Sequence, residues 1–155
     1  MAEQKVISVG KKAKDFALKD QNGQEFRLSH FHGRKVLLSF HPLAWTAVCA
    51  QQMKDLEKAQ KAFDKLNTMA VGLSIDSVPS KAAWAKQLKI TKTPLLADFW
   101  PHGQVAKSLG IFREQGFSER ANIIIDEKGK VAFVKVYPIK QLPDLKEILM
   151  ELGKG

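Results

Sequence analysis

The sequence predicts an α/β fold: a mixed central β-sheet flanked by helices on both faces, preceded by a polar N-terminal extension. Three observations carry this. Short β-prone apolar runs alternate with helical stretches through roughly the middle of the chain, two later apolar runs are parted only by a turn-like tetrapeptide, and the last dozen residues bear helix start and stop signals. With 155 residues, 45% hydrophobic and 26% charged, the chain is expected to form one domain over residues 1–155 and to be neither disordered nor a coiled coil.

Each element has a local justification. A turn is expected at Asp20-Gln21-Asn22-Gly23 within the polar extension. The run Lys35-Val36-Leu37-Leu38-Ser39-Phe40 is short, apolar and bounded by Pro42, as a buried central strand should be. From about Thr46 to Leu66 the pattern turns helical, because Cys49, Met53, Leu56, Phe63 and Leu66 fall on one side of a 3.6-residue helix. Met69–Ile75 reads as a second buried strand, and Pro79 followed by Lys81-Ala82-Ala83-Trp84-Ala85 reads as a helix start. A short strand near Leu95–Ala97 and a short helix near Gln104–Leu109 follow. Asn122–Ile125 and Val131–Val136, joined by Glu127-Lys128-Gly129-Lys130, predict an antiparallel hairpin. Gln141–Leu152 predicts a terminal helix, with Pro143 in its first turn and Gly153 just beyond it. Two βα units, a hairpin and a last helix make the thioredoxin-like order.

Composition excludes several function classes. The excess of 25 basic over 16 acidic residues gives a net charge of +9. Nearly all of it is scattered lysine, and only Arg27, Arg34, Arg113 and Arg120 offer the bidentate fork that nucleic-acid readers favour. A solvated lysine surface is expected, with no nucleic acid bound. No apolar run approaches the roughly 18–20 residues of a membrane span, and MAEQKVISVG lacks a signal-peptide core, so a cytoplasmic location and no membrane partner are expected. Cys49 is the only cysteine, which rules out an intramolecular disulfide or a multi-cysteine zinc site. His30 and His32 form a His-x-His pair in a polar loop without further ligands and are expected to be solvated, so neither a metal nor a cofactor is predicted.

The segment His41-Pro42-Leu43-Ala44-Trp45-Thr46-Ala47-Val48-Cys49 joins the first central strand to the long helix and sets Cys49 in the opening turn. Unpaired N–H groups and the positive end of the helix dipole converge there and favour an anionic sulfur. The carboxyl edge of a sheet is also where open α/β folds place their ligands.

Pro42, Thr46 and Cys49 resemble the Pro-x-x-x-Thr-x-x-Cys motif of peroxiredoxins, and the segments Gly72–Ser77, Trp84 and Gly116–Asn122 are similar to family segments as well. The resemblance covers roughly residues 5–150 and is strongest to small one-cysteine members of the alkyl-hydroperoxide-reductase E type. It implies a thiol-dependent peroxidase that reduces hydrogen peroxide or organic hydroperoxides through a cysteine sulfenic acid. It further implies that Cys49 is the nucleophile, that Arg120 supports thiolate and peroxide, and that Thr46 hydrogen-bonds the sulfur and the attacking oxygen. Pro42 would shield the site, and Gln52, at a position where the family often has Glu, Gln or His, would orient the arginine through an uncharged contact. The resolving-cysteine position found five residues after the nucleophile in some relatives is Lys54 here, so an external thiol of thioredoxin, glutaredoxin or low-molecular-weight type must resolve the sulfenic acid. A homodimer with Trp45 at its contact is implied too.

Elementary chemistry agrees with a need for Arg120. A thiol with pKa about 8.5 is only about 3% thiolate at pH 7, so full ionisation raises reactivity at most about 30-fold. Fast peroxide reduction therefore needs donors aimed at the leaving oxygen as the O–O bond breaks. Lowering a thiol pKa to about 6 takes about 3.4 kcal/mol, more than the roughly 2 kcal/mol a helix terminus supplies at best, so a further cation is required. Two rivals are set against this reading. His41 could act as general base of a Cys-His hydrolase, although a packing or hydrogen-bonding role beside the cysteine is favoured. Alternatively, Cys49 could serve a non-catalytic peroxide sensor or binding protein. Of the three tryptophans, Trp45 and Trp84 are assigned to helix-face packing or a subunit contact.

Overall fold

The computed structural model describes residues 5–154. Continuous buried runs along the central strands mark a sheet covered on both faces. In chain order the elements are β1 (Ala17–Lys19), β2 (Glu25–Arg27), a 3-10 turn over Leu28–Phe31, β3 (Lys35–Phe40), α1 (Ala47–Lys58), α2 (Gln60–Lys65), β4 (Thr68–Ser74), α3 (Val78–Leu88), β5 (Leu95–Ala97), α4 (Gln104–Ser108), β6 (Arg120–Ile125), β7 (Val131–Tyr137) and α5 (Leu145–Gly153). β1 and β2 form a small antiparallel pair, and the remaining five strands form one sheet in the order β5-β4-β3-β6-β7. β3 runs parallel to β4 and antiparallel to β6, while β6 and β7 make the antiparallel hairpin. The fold is α/β and thioredoxin-like, with a mixed sheet as expected.

Strand parity sorts the core into two layers. Val36, Leu38 and Phe40 of β3 and Ala121, Ile123 and Ile125 of β6 pack with Val105, Ala106 and Ile111 on one face. Leu37 and Ile124 turn to the other face, where Cys49, Met53, Leu56, Phe63, Trp84, Ile148 and Leu152 meet them. By the same alternation Ser39 and His41 at the end of β3, and Arg120 and Asn122 at the start of β6, fall on the face that carries Cys49. All four are buried. Close approach of α1 to β4 depends on Gly72, where a Cβ would meet Met53 Sδ at 2.3 Å.

The structure corrects several sequence expectations. The single helix expected over 46–66 is two helices, because the Ala59 N–H is shared between the Asp55 and Leu56 carbonyls (both 3.2 Å) and the α-helical ladder stops there. The break turns Phe63 onto β4, so the apolar stripe survives while the helix does not. α5 begins at Leu145, four residues later than expected, because the Asp144 carboxylate accepts from the Lys146 N–H (3.0 Å) and serves as N-cap. Pro143 therefore precedes the cap, and Gly153 is the last helical residue instead of the one beyond it. The N-terminal extension is more than a turn: β1 and β2 flank Asp20–Gly23, whose Asp20 carboxylate accepts from the N–H groups of Asn22 and Gln24. Trp84 is buried as expected, but Trp45 lies in the loop before α1, half-exposed and in the left-handed region (φ 72°).

Candidate active site

β3 ends at Phe40, and the connection from His41 to Thr46 delivers the chain to α1 with Thr46 as its N-cap residue. Cys49 is thus the third residue of the helix, within the turn whose N–H groups lack carbonyl partners. No side chain caps that turn. Cys49 is fully buried, and Pro42 is buried beside it in sequence. Thr46 is exposed, and its hydroxyl donates to the Leu43 carbonyl (2.9 Å). The expected hydrogen bond from Thr46 to the sulfur is therefore replaced by one that closes the loop.

Arg120, the first residue of β6, reaches the helix start across the sheet. Its Nη1 donates to Cys49 Sγ (3.4 Å) and to Gln52 Oε1 (2.6 Å), and its Nε donates to the Ile139 carbonyl (2.9 Å). Gln52, one helical step beyond Cys49, donates from Nε2 to Ser39 Oγ (2.8 Å) and to the Phe40 carbonyl (3.2 Å). One amide thus ties α1, β3 and the guanidinium together. Charge-assisted donors of this kind are roughly twice as strong as neutral ones, and the surrounding burial strengthens them further. Cys49, Arg120 and Gln52 are directly in contact; Pro42 contributes by position, and Thr46 through the loop.

His41 follows β3 on the same face. Its Nε2 lies 3.0 Å from Lys81 Nζ, and its ring packs against Trp84 with centroids 5.3 Å apart. Burial pushes the imidazole well below its usual range, and the charges of Lys81 and Arg120 push it the same way. A neutral imidazole whose Nε2 meets a lysine does not form the cysteine–histidine pair a hydrolase requires. Lys81 and Ser39 were not singled out in the sequence. The signal for Lys81 was present: with Trp84, Ala85 and Leu88 it occupies one face of α3, a lysine on an apolar stripe.

Among the described residues no group of three His, Cys, Asp or Glu side chains could hold a metal ion, and no helix is long and apolar enough to cross a membrane.

Residues 9–134 match the AhpC/TSA family. The chain is 38% identical over 133 residues to alkyl hydroperoxide reductase E of Mycobacterium tuberculosis, covering 84% of this chain and 86% of that protein. A peroxiredoxin of Hyperthermus butylicus is 34% identical over 149 residues, covering 92% of this chain and 63% of its own length. Among solved structures, the reduced 2-Cys peroxiredoxin of Plasmodium vivax superimposes with a TM-score of 0.87 at 30% identity, over 94% of this chain and 80% of that one. The peroxidoxin BcpB of Mycobacterium tuberculosis does so with a TM-score of 0.82 at 28% identity, over 94% and 96%. Since the family match and these relatives span most of its length, the chain belongs to the AhpC/TSA family and is a peroxiredoxin, a thiol-dependent peroxidase whose single cysteine fits the one-cysteine type.

Proposed function

We propose that Cys49 is the peroxidatic nucleophile and Arg120 the residue that stabilises both its thiolate and the breaking peroxide bond. The observation that carries this reading is the Arg120 Nη1 donor shared between Cys49 Sγ and Gln52 Oε1 at an uncapped helix start. The thiolate attacks one peroxide oxygen in line with the O–O bond. A sulfur–oxygen bond forms, the O–O bond breaks, and the leaving oxide takes a proton to become water or an alcohol. Arg120 and the first-turn N–H groups face the charge that develops on the leaving oxygen. Gln52 positions the guanidinium, Pro42 keeps water from the sulfur, and Thr46 is placed to meet the substrate at the exposed mouth of the loop. His41 is assigned no proton transfer.

The substrate class is hydrogen peroxide or small organic hydroperoxides, a reading supported by the likeness to the mycobacterial alkyl hydroperoxide reductase E. Because this sequence holds one cysteine, an external thiol condenses with the sulfenic acid, releasing water, and a second thiol frees Cys49 as thiolate by disulfide exchange. A reducing cytoplasm suits that cycle. Homodimerisation around the active-site loop is supported by the half-exposed Trp45 side chain.

The test is stopped-flow oxidation of wild type, Cys49→Ser and Arg120→Ala with several hydroperoxides, followed by reduction with candidate thiols. Both variants are expected to lose rapid oxidation, and wild type left in excess peroxide should accumulate dioxidised Cys49 by mass spectrometry. Fast oxidation of Arg120→Ala would remove the guanidinium from the mechanism. Stoichiometric oxidation without thiol-driven turnover would instead favour a sensor.

A further inference from the structure

Lys81 is the one lysine among the described residues that is fully buried. Its Nζ lies 3.0 Å from His41 Nε2 and 5.9 Å from the centre of the Trp84 ring, and it enters no salt bridge among the described residues. A buried ammonium without an anionic partner is costly, so the surrounding elements must balance it or it must lose its proton.

His41 after β3 contacts it, and the charges of Asp76 before α3, Cys49 on α1 and Asp98 after β5 act on it, while Arg120 on β6 acts on His41. Both carboxylates are hydrogen-bonded elsewhere and neither forms a salt bridge with Lys81, though both keep their negative charge. Asp76 Oδ2 accepts from the Ala44 N–H (2.8 Å) and the Ser74 hydroxyl (2.6 Å), and the oxygens of Asp98 accept from the Val105 and Ala106 N–H groups (3.0 Å each). The charge of the two carboxylates stays constant through a reaction cycle, so the sulfur of Cys49 is the one of these three groups whose charge oxidation changes. Burial pulls the Lys81 ammonium down to about 7, against the opposing pull of Asp76, Cys49 and Asp98, so near neutral pH its proton is poised to respond to a nearby charge. When Lys81 is charged, neutral His41 accepts its hydrogen bond at Nε2 and carries its own proton on Nδ1.

We propose that Lys81, held by His41, is a second cation that balances the Cys49 thiolate, a positioning residue that gives up its proton when oxidation removes the negative charge from sulfur. The proton-release half rests on the peroxidatic role proposed above. In that step two electrons pass from sulfur to peroxide, the sulfenic acid forms, and the leaving oxide is neutralised by one proton while Lys81 loses one, so charge balances across the pocket.

The experiment follows thiolate absorbance at 240 nm against pH in wild type, Lys81→Met and Lys81→Arg, with Cys49→Ser as the blank. Lys81→Met should lower the thiolate-to-thiol ratio at fixed pH by about tenfold, and Lys81→Arg should restore most of it. Coupling is reciprocal, so a lysine ε-carbon NMR titration should show the Lys81 ammonium-to-amine ratio falling by the same factor in Cys49→Ser, without any change at Lys81. One equivalent of hydrogen peroxide near pH 7 should move the wild-type Lys81 signal toward the amine. An unchanged ratio in folded Lys81→Met, or an unchanged Lys81 titration in Cys49→Ser, overturns the coupling; the second arm decides if Lys81→Met fails to fold. If peroxide leaves Cys49 unoxidised while both titrations shift, the peroxidatic reading fails and the charge coupling stands.

Discussion

Replacing Gln52 with leucine separates positioning from packing at this site. The side chain is 3% exposed, and leucine fills similar space, so the change removes hydrogen bonds without opening a large cavity. Three contacts disappear: 2.6 Å from Arg120 Nη1, 2.8 Å to Ser39 Oγ and 3.2 Å to the Phe40 carbonyl. The first involves a buried charge and is worth about 1.5–3 kcal/mol, and the two neutral ones about 1 kcal/mol each, with part recovered because Ser39 can reorient. A net loss of about 3 kcal/mol is expected, lowering Tm by roughly 6–12 °C for a chain of this size. Arg120 keeps its anchor at Ile139 but loses the acceptor that aims Nη1, and a misplacement of about 1 Å can slow a reaction by about 100-fold. Thermal melts and stopped-flow oxidation under single-turnover conditions, well below Tm, measure the two effects separately. Oxidation within about twofold of wild type in a variant destabilised by about 3 kcal/mol would refute the positioning role, leaving Gln52 a structural tie.

Other perturbations test neighbouring parts of the molecule. Arg120→Lys keeps the charge but loses the planar fork that meets sulfur, Gln52 and Ile139 together; peroxide oxidation should slow at least about tenfold by the same stopped-flow assay, and a wild-type rate would show that charge alone suffices. Gly72→Ala places a methyl group 2.3 Å from Met53 Sδ and 3.1 Å from Leu95 Cδ2, so urea melts should show a loss of about 1–3 kcal/mol. Combining it with Met53→Ala should cost less than the two separate losses together, by about 1 kcal/mol, and strict additivity would show that the two do not collide. Glu57 is held below its ordinary value of 4.5: burial pushes it up, but the N–H groups of Thr91, Lys92 and Thr93 and the Thr93 hydroxyl pull it down more strongly. Its contribution is therefore complete above about pH 4.5 and fades as pH falls through the lower folded-state value. Glu57→Gln should cost about 1 kcal/mol at pH 7 and flatten the acid side of the stability profile in urea melts at pH 3–7; an unaltered profile would exclude Glu57 as the source.

The central sheet was legible because its inner strands are buried on both faces and read as continuous apolar runs, and because β7 follows β6 after a five-residue turn. Cys49 was legible from the Pro-x-x-x-Thr-x-x-Cys resemblance together with its helix start, and Arg120 from the resemblance and its place just before an isoleucine-rich strand; the strand alternation that carries Arg120 to the sulfur's side of the sheet emerged with the structure. The break at Ala59 was not, since a 3.6-residue stripe continues smoothly across the bifurcated hydrogen bond that divides the helix. Asp144 and Pro143 both signal a helix start, and only the observed carboxylate hydrogen bond decides between them. β1 and β2, three residues each, are too short for alternation to register. The hydroxyl of Thr46 could equally serve the loop or the sulfur, and the sequence holds nothing that selects the observed bond to the Leu43 carbonyl.

The bond from Arg120 Nε to the Ile139 carbonyl gives the tail of the molecule authority over chemistry it never touches. Ile139 lies in the connection between β7 and α5, and α5 is fastened to the core through Ile148 and Leu152. Fraying of the carboxyl-terminal helix would therefore be felt first as a loosened guanidinium, so reactivity toward peroxide should decline on warming before the sheet itself melts.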